Sequence, residues 1–128
     1  MKIRLRSKST LRKRAKHGFR GYPAATVAFY GPSEARASKV AVGIVESAGG
    51  EPILLERWFS DTDDVRRDPA IEAAILGFLE AHGVVSVAMT DGLLGCPHEE
   101  GVEYPEGASC PQCPYWAGRD RFTKQQVQ

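Results

Sequence analysis

The segment GCPHEEGVEYPEGASCPQCP, from Gly95 to Pro114, holds all three cysteines of the chain and one of its three histidines. Proline and glycine interrupt it too often for a helix or an interior strand. Any order there must come from something other than a backbone ladder, and the spacing of the sulfurs suggests what. In an extended stretch, side chains two apart point the same way, so Cys96 and His98 can face one ion together. In Cys110-Pro-Gln-Cys113 the proline suits the second position of a turn that brings both thiols to a common centre. Gly101 and Gly107 give the intervening loop the slack to close. Three thiolates and one imidazole complete a tetrahedral set, the arrangement of a closed, knuckle-like structural zinc site, and soft sulfur favours Zn2+ over magnesium or calcium. Residues 93–128 carry few large apolar side chains, mainly Leu93, Leu94, Tyr115, Trp116 and Phe122. Burial alone cannot order such a segment, whereas a bound zinc ion supplies on the order of 10 kcal/mol in small zinc-dependent folds. The expected metal ligands are Cys96, His98, Cys110 and Cys113.

Charge is the second constraint. The net formal charge of +1 hides nine Lys or Arg and no acid within residues 1–20, leaving eight bases against sixteen acids in the remainder. Residues 1–22 therefore read as a basic N-terminal arm, expected to be disordered without a partner. Within it Ser9 or Thr10 is placed to cap a short helix through Lys16 that stops at Gly18. The candidate nucleic-acid-binding residues are Arg4, Arg6, Lys8, Arg12, Lys13, Arg14, Lys16 and Arg20. Arg119 and Arg121, in the mixed stretch YWAGRDRFTK, extend the set from the other end. His17, Phe19 and Tyr22 supply rings that can stack on unpaired bases. RNA is preferred over DNA as partner because flexible basic arms suit irregular folded RNA. The competing partner for such an arm is an acidic protein.

Between arm and cysteine segment, residues 23–92 carry the pattern of an α+β domain. ATVAFYGP, SKVAVGIVES and PILLERWFS read as three strands with short links, an antiparallel meander whose middle strand is covered on both faces. Asp68 at the N-cap, Pro69 at the first helical position and Gly83 after the end delimit a helix. Its apolar stripe is Ile71, Ala74, Ile75, Phe78 and Leu79. VVSVAMT follows as a further strand. A helix between two strands implies a crossover that lays the last strand parallel to an earlier one, with right-handed sense expected. Beyond Asp91 regular structure is expected to fade into the irregular zinc-bound segment.

The order of these elements resembles the first half of a ribonuclease-H-like domain, over about residues 24–92. That resemblance implies metal-binding carboxylates, for which Glu72 and Asp91 match two positions. The first strand offers Phe29, Tyr30 and Gly31 where the third should stand, with Glu34 the nearest acid, so the set is incomplete. CPQC looks like the Cys-Pro-x-Cys of glutaredoxin-type oxidoreductases, but Pro114 follows where a thiol-activating helix would begin. HEE followed by SCPQC is similar to the zinc deaminase pattern, which implies His98, Cys110 and Cys113 as ligands and Glu100 as proton shuttle. There Cys96 would plug the position that catalytic water needs. DTDDVRRDPAIE starts like a calcium loop, yet Val65 and Arg66 stand where an oxygen donor and glycine are required. No apolar run approaches the roughly 18 residues of a membrane span. The N-terminal stretch lacks the apolar middle of a secretory signal, and clustered thiols suit a reducing, cytoplasmic setting. The resulting expectation is a cytoplasmic, non-enzymatic, zinc-binding adaptor that contacts nucleic acid, with a zinc hydrolase or deaminase and an acidic-protein-binding module as alternatives.

Overall fold

A computed structural model describes residues 10–117. Arg4, Arg6, Lys8, Arg119, Arg121 and Phe122 lie outside the described residues. Strand β1 (Ala24–Tyr30) alternates buried and open positions, and Ala25, Val27 and Phe29 enter the core. It pairs antiparallel with β2 (Lys39–Val45), which puts Val42 opposite Val27 and Val40 opposite Phe29. Strand β3 (Leu54–Phe59) pairs antiparallel with the far side of β2. The chain then crosses through α2 (Pro69–Ala81) to β4 (Ser86–Gly95), which lies parallel to β1. The four-stranded order is β3-β2-β1-β4, the α+β arrangement of meander, crossover helix and parallel strand expected from the sequence. No helix among the described residues is long and apolar enough to cross a membrane.

Helix α2 starts where its signals predict. The Asp68 carboxylate accepts the N–H groups of Ala70 and Ile71, two donors that the first turn leaves without intrahelical partners. Ile75 and Leu79 are buried against the sheet, Ile71 and Phe78 pack beside them, and the Phe78 ring meets Trp58 of β3 edge-on. At Gly83 the backbone turns left-handed (φ 64°) to release the chain into β4.

Two parts of the chain differ from expectation. The basic segment forms, from Thr10 on, the short helix that its cap and the Gly18 stop predict, but docked on the sheet. Thr10 caps α1 (Leu11–Lys16) by accepting the Lys13 N–H. Leu11 is buried in the main core, Ala15 packs against it, and the helix lies along β4. A six-residue cationic helix is unstable alone in water; burial of Leu11 and the Glu72 carboxylate that accepts the Leu11 N–H at 3.2 Å hold it here. Strand β4, in turn, does not fade at position 91 but continues to Gly95. The β1–β4 register slips between Val27 and Phe29, whose partners are Met89 and Leu93. The bulge lets Leu93 return to the core, almost wholly buried, and carries the strand to the threshold of Cys96.

The turn before α2 rests on Asp64. Its carboxylate accepts the N–H groups of Ala37 and Arg66 and pairs with the Arg66 guanidinium at 2.6 Å. The Arg66 side-chain hydrogen bond, ahead of the opposing effect of burial, pulls the Asp64 acid strength well beyond the usual carboxylate range. A folded pKa below the unfolded one means this stabilisation is complete above the unfolded value of about 3.9 and disappears as pH falls through the folded one. Asp64→Asn is expected to cost about 1–3 kcal/mol at neutral pH, read by urea unfolding, and the gap between variant and wild type should shrink progressively below about pH 4.

Candidate metal centre

The parallel pairing of β4 with β1 determines where the first ligand sits. Tyr30 pairs with Gly95, and the Gly31 N–H donates to the Gly95 carbonyl at 2.9 Å. Cys96 therefore emerges at the end of the sheet with its backbone direction already set. Pro97 bends the chain, and the His98 N–H donates to the Cys96 sulfur at 3.2 Å. The bend, and not an extended pair of residues, brings Cys96 and His98 to one centre. The second pair arises as its residues suggest: the Cys113 N–H donates to the Cys110 carbonyl across a turn holding Pro111.

The ligand atoms of Cys96, His98, Cys110 and Cys113 all lie within 4.8 Å of one another, close enough to hold a metal ion. From His98 Nδ1 the sulfurs of Cys96, Cys110 and Cys113 are 3.2, 3.4 and 3.6 Å away. Tetrahedral zinc with bonds of about 2.3 Å to sulfur and 2.0–2.1 Å to nitrogen requires S···N edges of about 3.6 Å. The donor set fits such an ion in kind, number and spacing. All three thiols are free and buried. Burial is the main reason that the Cys96 and Cys113 thiols are pushed up, since a dry site disfavours thiolate. A bound dication reverses that preference by ligating the deprotonated sulfur.

Around this centre the fold supplies supports that the sequence did not advertise. Lys39, on β2, is only 4% exposed. Its ammonium donates to the Pro97 carbonyl at 2.9 Å, between the first two ligands, and pairs with Glu99 at 3.1 Å. The Tyr30 and Phe59 rings lie 5.3 and 5.9 Å from the same nitrogen. Glu99 is also gripped by Arg57 of β3, and the Lys39 hydrogen bond foremost holds its carboxyl below the ordinary range. Glu99 is thus the clasp that fastens the ligand loop to the sheet. Glu103 and Glu100 act within the loop, accepting the Glu99 and Gly107 N–H groups. Trp116 closes the other side. Its indole N–H donates to the Gly31 carbonyl at 2.7 Å, and its ring touches both the main core and the cysteine cluster. Gly31 has to be glycine here, because a Cβ would sit 1.9 Å from the Arg36 carbonyl oxygen.

The remaining candidates are placed elsewhere. Arg12, Lys13, Lys16 and Arg20 are exposed and Arg14 half-buried, all on or just after α1. Glu72 serves as the brace for α1, and position 91 falls inside β4. Lys39 was the functional residue missed; the only signal for it was a lone charge inside an otherwise apolar interior strand. Compared with models of known protein families, with curated proteins and with solved structures, the chain matches none.

Lys39 holds the Pro97 carbonyl, between the first two candidate ligands, and so positions both for an ion. Lys39→Met is expected to lower metal affinity about 10–100-fold, as loss of outer-sphere partners does elsewhere, measured by competition with a chromophoric chelator.

Proposed function

We propose that this protein is a non-enzymatic adaptor, stabilised by one zinc ion, that binds nucleic acid, RNA in preference to DNA, through its basic N-terminal segment. The observation that carries the metal part is the four-atom cluster containing Cys96. With Cys96 as fourth ligand no coordination position is left for a catalytic water, so the ion is structural. Zinc is the ion that suits three sulfurs and an imidazole in a tetrahedral array, and a reducing, cytoplasmic compartment suits thiols kept free for it. The Glu100 carboxylate is occupied with the Gly107 N–H at 2.6 Å, which speaks against its use as a proton shuttle.

The nucleic-acid part rests on charge and its placement. Nine bases without an acid in residues 1–20 make a strong local field, and α1 presents Arg12, Lys13 and Lys16 to solvent from a helix fixed on the sheet. Counterion release from phosphates would supply the affinity. An acidic protein is the competing partner, and it would show no preference for RNA.

Purified protein is expected to carry zinc near one equivalent per chain, to give the intense visible bands of tetrahedral cobalt(II) thiolate on substitution, and to lose both in Cys96→Ser. A Cys96→Ser protein that kept a water-accessible metal with unchanged affinity would restore the enzyme reading. RNA affinity should fall roughly 10²-fold between about 50 and 200 mM salt if four phosphates are engaged. Replacing Arg12, Lys13, Lys16 and Arg20 with Gln should flatten that dependence, and an unchanged slope would remove the segment from the interface.

A further inference from the structure

Between α1, α2 and the edge strand β4 lies a cleft of about 700 Å³, within the size range of small-ligand sites. Its floor is apolar, formed by Phe29, Ile75, Val87 and Met89. Arg12 and Lys16 stand on its rim, one turn apart on α1 and both exposed. Neither forms an ion pair among the described residues, whereas the other charged groups that reach the cleft are engaged, Arg66 by Asp64 and Glu72 by the Leu11 N–H.

Phe19 makes one wall of this cleft although its ring is 67% exposed. Its backbone setting is fixed. The next residue, Arg20, donates its N–H to the Ser86 hydroxyl at 2.7 Å, and that hydroxyl donates to the Gly21 carbonyl at 2.7 Å. Ser86 is itself buried, and the Phe19 ring meets Tyr22 edge-on at 5.0 Å. An exposed ring next to a backbone fixed by a buried serine, over an apolar floor and beside two cations without an ion pair among the described residues, suits a planar ligand that carries negative charge at one end.

Resting on the nucleic-acid reading above, we propose that this cleft takes one unpaired nucleotide of an RNA strand. The base lies against Phe19 and the apolar floor, and its phosphate lies at Arg12 and Lys16. A base in a duplex is covered on both faces by its neighbours and cannot enter, so the cleft selects single strands. An acidic peptide could meet the two cations but has no flat face for the ring and floor.

The test uses the full chain with a labelled eight-nucleotide RNA of mixed sequence, alone and as the duplex with its complement, followed by anisotropy at low salt. The single strand is expected to bind about tenfold more tightly than the duplex, the scale of one stacked base. Phe19→Ala, an exposed position whose loss spares the core, should remove that preference and leave duplex affinity unchanged. Arg12→Gln with Lys16→Gln should weaken strand and duplex alike. If wild type binds RNA but Phe19→Ala leaves the strand preference intact, the cleft proposal fails while the nucleic-acid reading stands. If wild type binds neither strand nor duplex, the reading beneath it fails and the cleft proposal with it. A free nucleoside monophosphate that binds as tightly as the strand would also overturn the proposal.

Discussion

Three sulfurs and an imidazole nitrogen crowded within 4.8 Å are hard to account for without a cation between them. As thiols they form only weak hydrogen bonds, and as thiolates they repel one another in a site that burial already makes unfavourable for charge. A dication removes both difficulties at once. It also gives the loop between Cys96 and Cys113 a reason to be ordered, because that loop offers little apolar surface to bury. Its side chains from Glu99 to Ser109 are acids, glycines, prolines and small residues, with Val102 and Tyr104 the exceptions, and Val102 is exposed. The described residues from Cys96 to Trp116 are arranged around that cluster.

What ties the centre to the rest of the molecule is a graded set of contacts. Backbone pairing of Tyr30 with Gly95 sets direction, the Lys39–Glu99–Arg57 clasp holds the loop on one side, and the Trp116 indole seals the other. Lys39 is the buried member of this clasp, whereas Glu99 is a third exposed and also pairs with Arg57, so Lys39 matters chiefly for the Pro97 carbonyl it holds. Helix α1 docks on β4 by simpler means, one buried leucine and one carboxylate.

The features legible in the sequence were those carried by local patterns. Asp68-Pro69 and Gly83 bounded α2 because caps act within a turn of where they stand. The β2 pattern gave an interior strand because residues on both faces were apolar or small. Cys110-Pro-Gln-Cys113 gave a turn because its closure is local. What escaped was long-range. Nothing near Leu11 says that Glu72, sixty-one positions away, will brace it. Nothing near Lys39 says that a carbonyl and carboxylate from a distant loop will meet it. The extension of β4 past position 91 depended on a bulge, which a period-two pattern does not encode. Within the basic arm of residues 1–22 the cap at Thr10 and the stop at Gly18 gave the short helix, but that Leu11 would dock it in the core was long-range.

The position of Trp116 has one more consequence. The chain has two tryptophans, and they occupy unlike surroundings: Trp58 packs on the main core with its ring edge-on to Phe78, whereas Trp116 lies between the sulfurs and the core with its N–H on Gly31. Excited indole is quenched by neighbouring thiols and thiolates and responds to its hydrogen-bond acceptor. The molecule therefore contains its own optical gauge, in which emission from one ring registers the state of the sulfur cluster and emission from the other registers the integrity of the sheet.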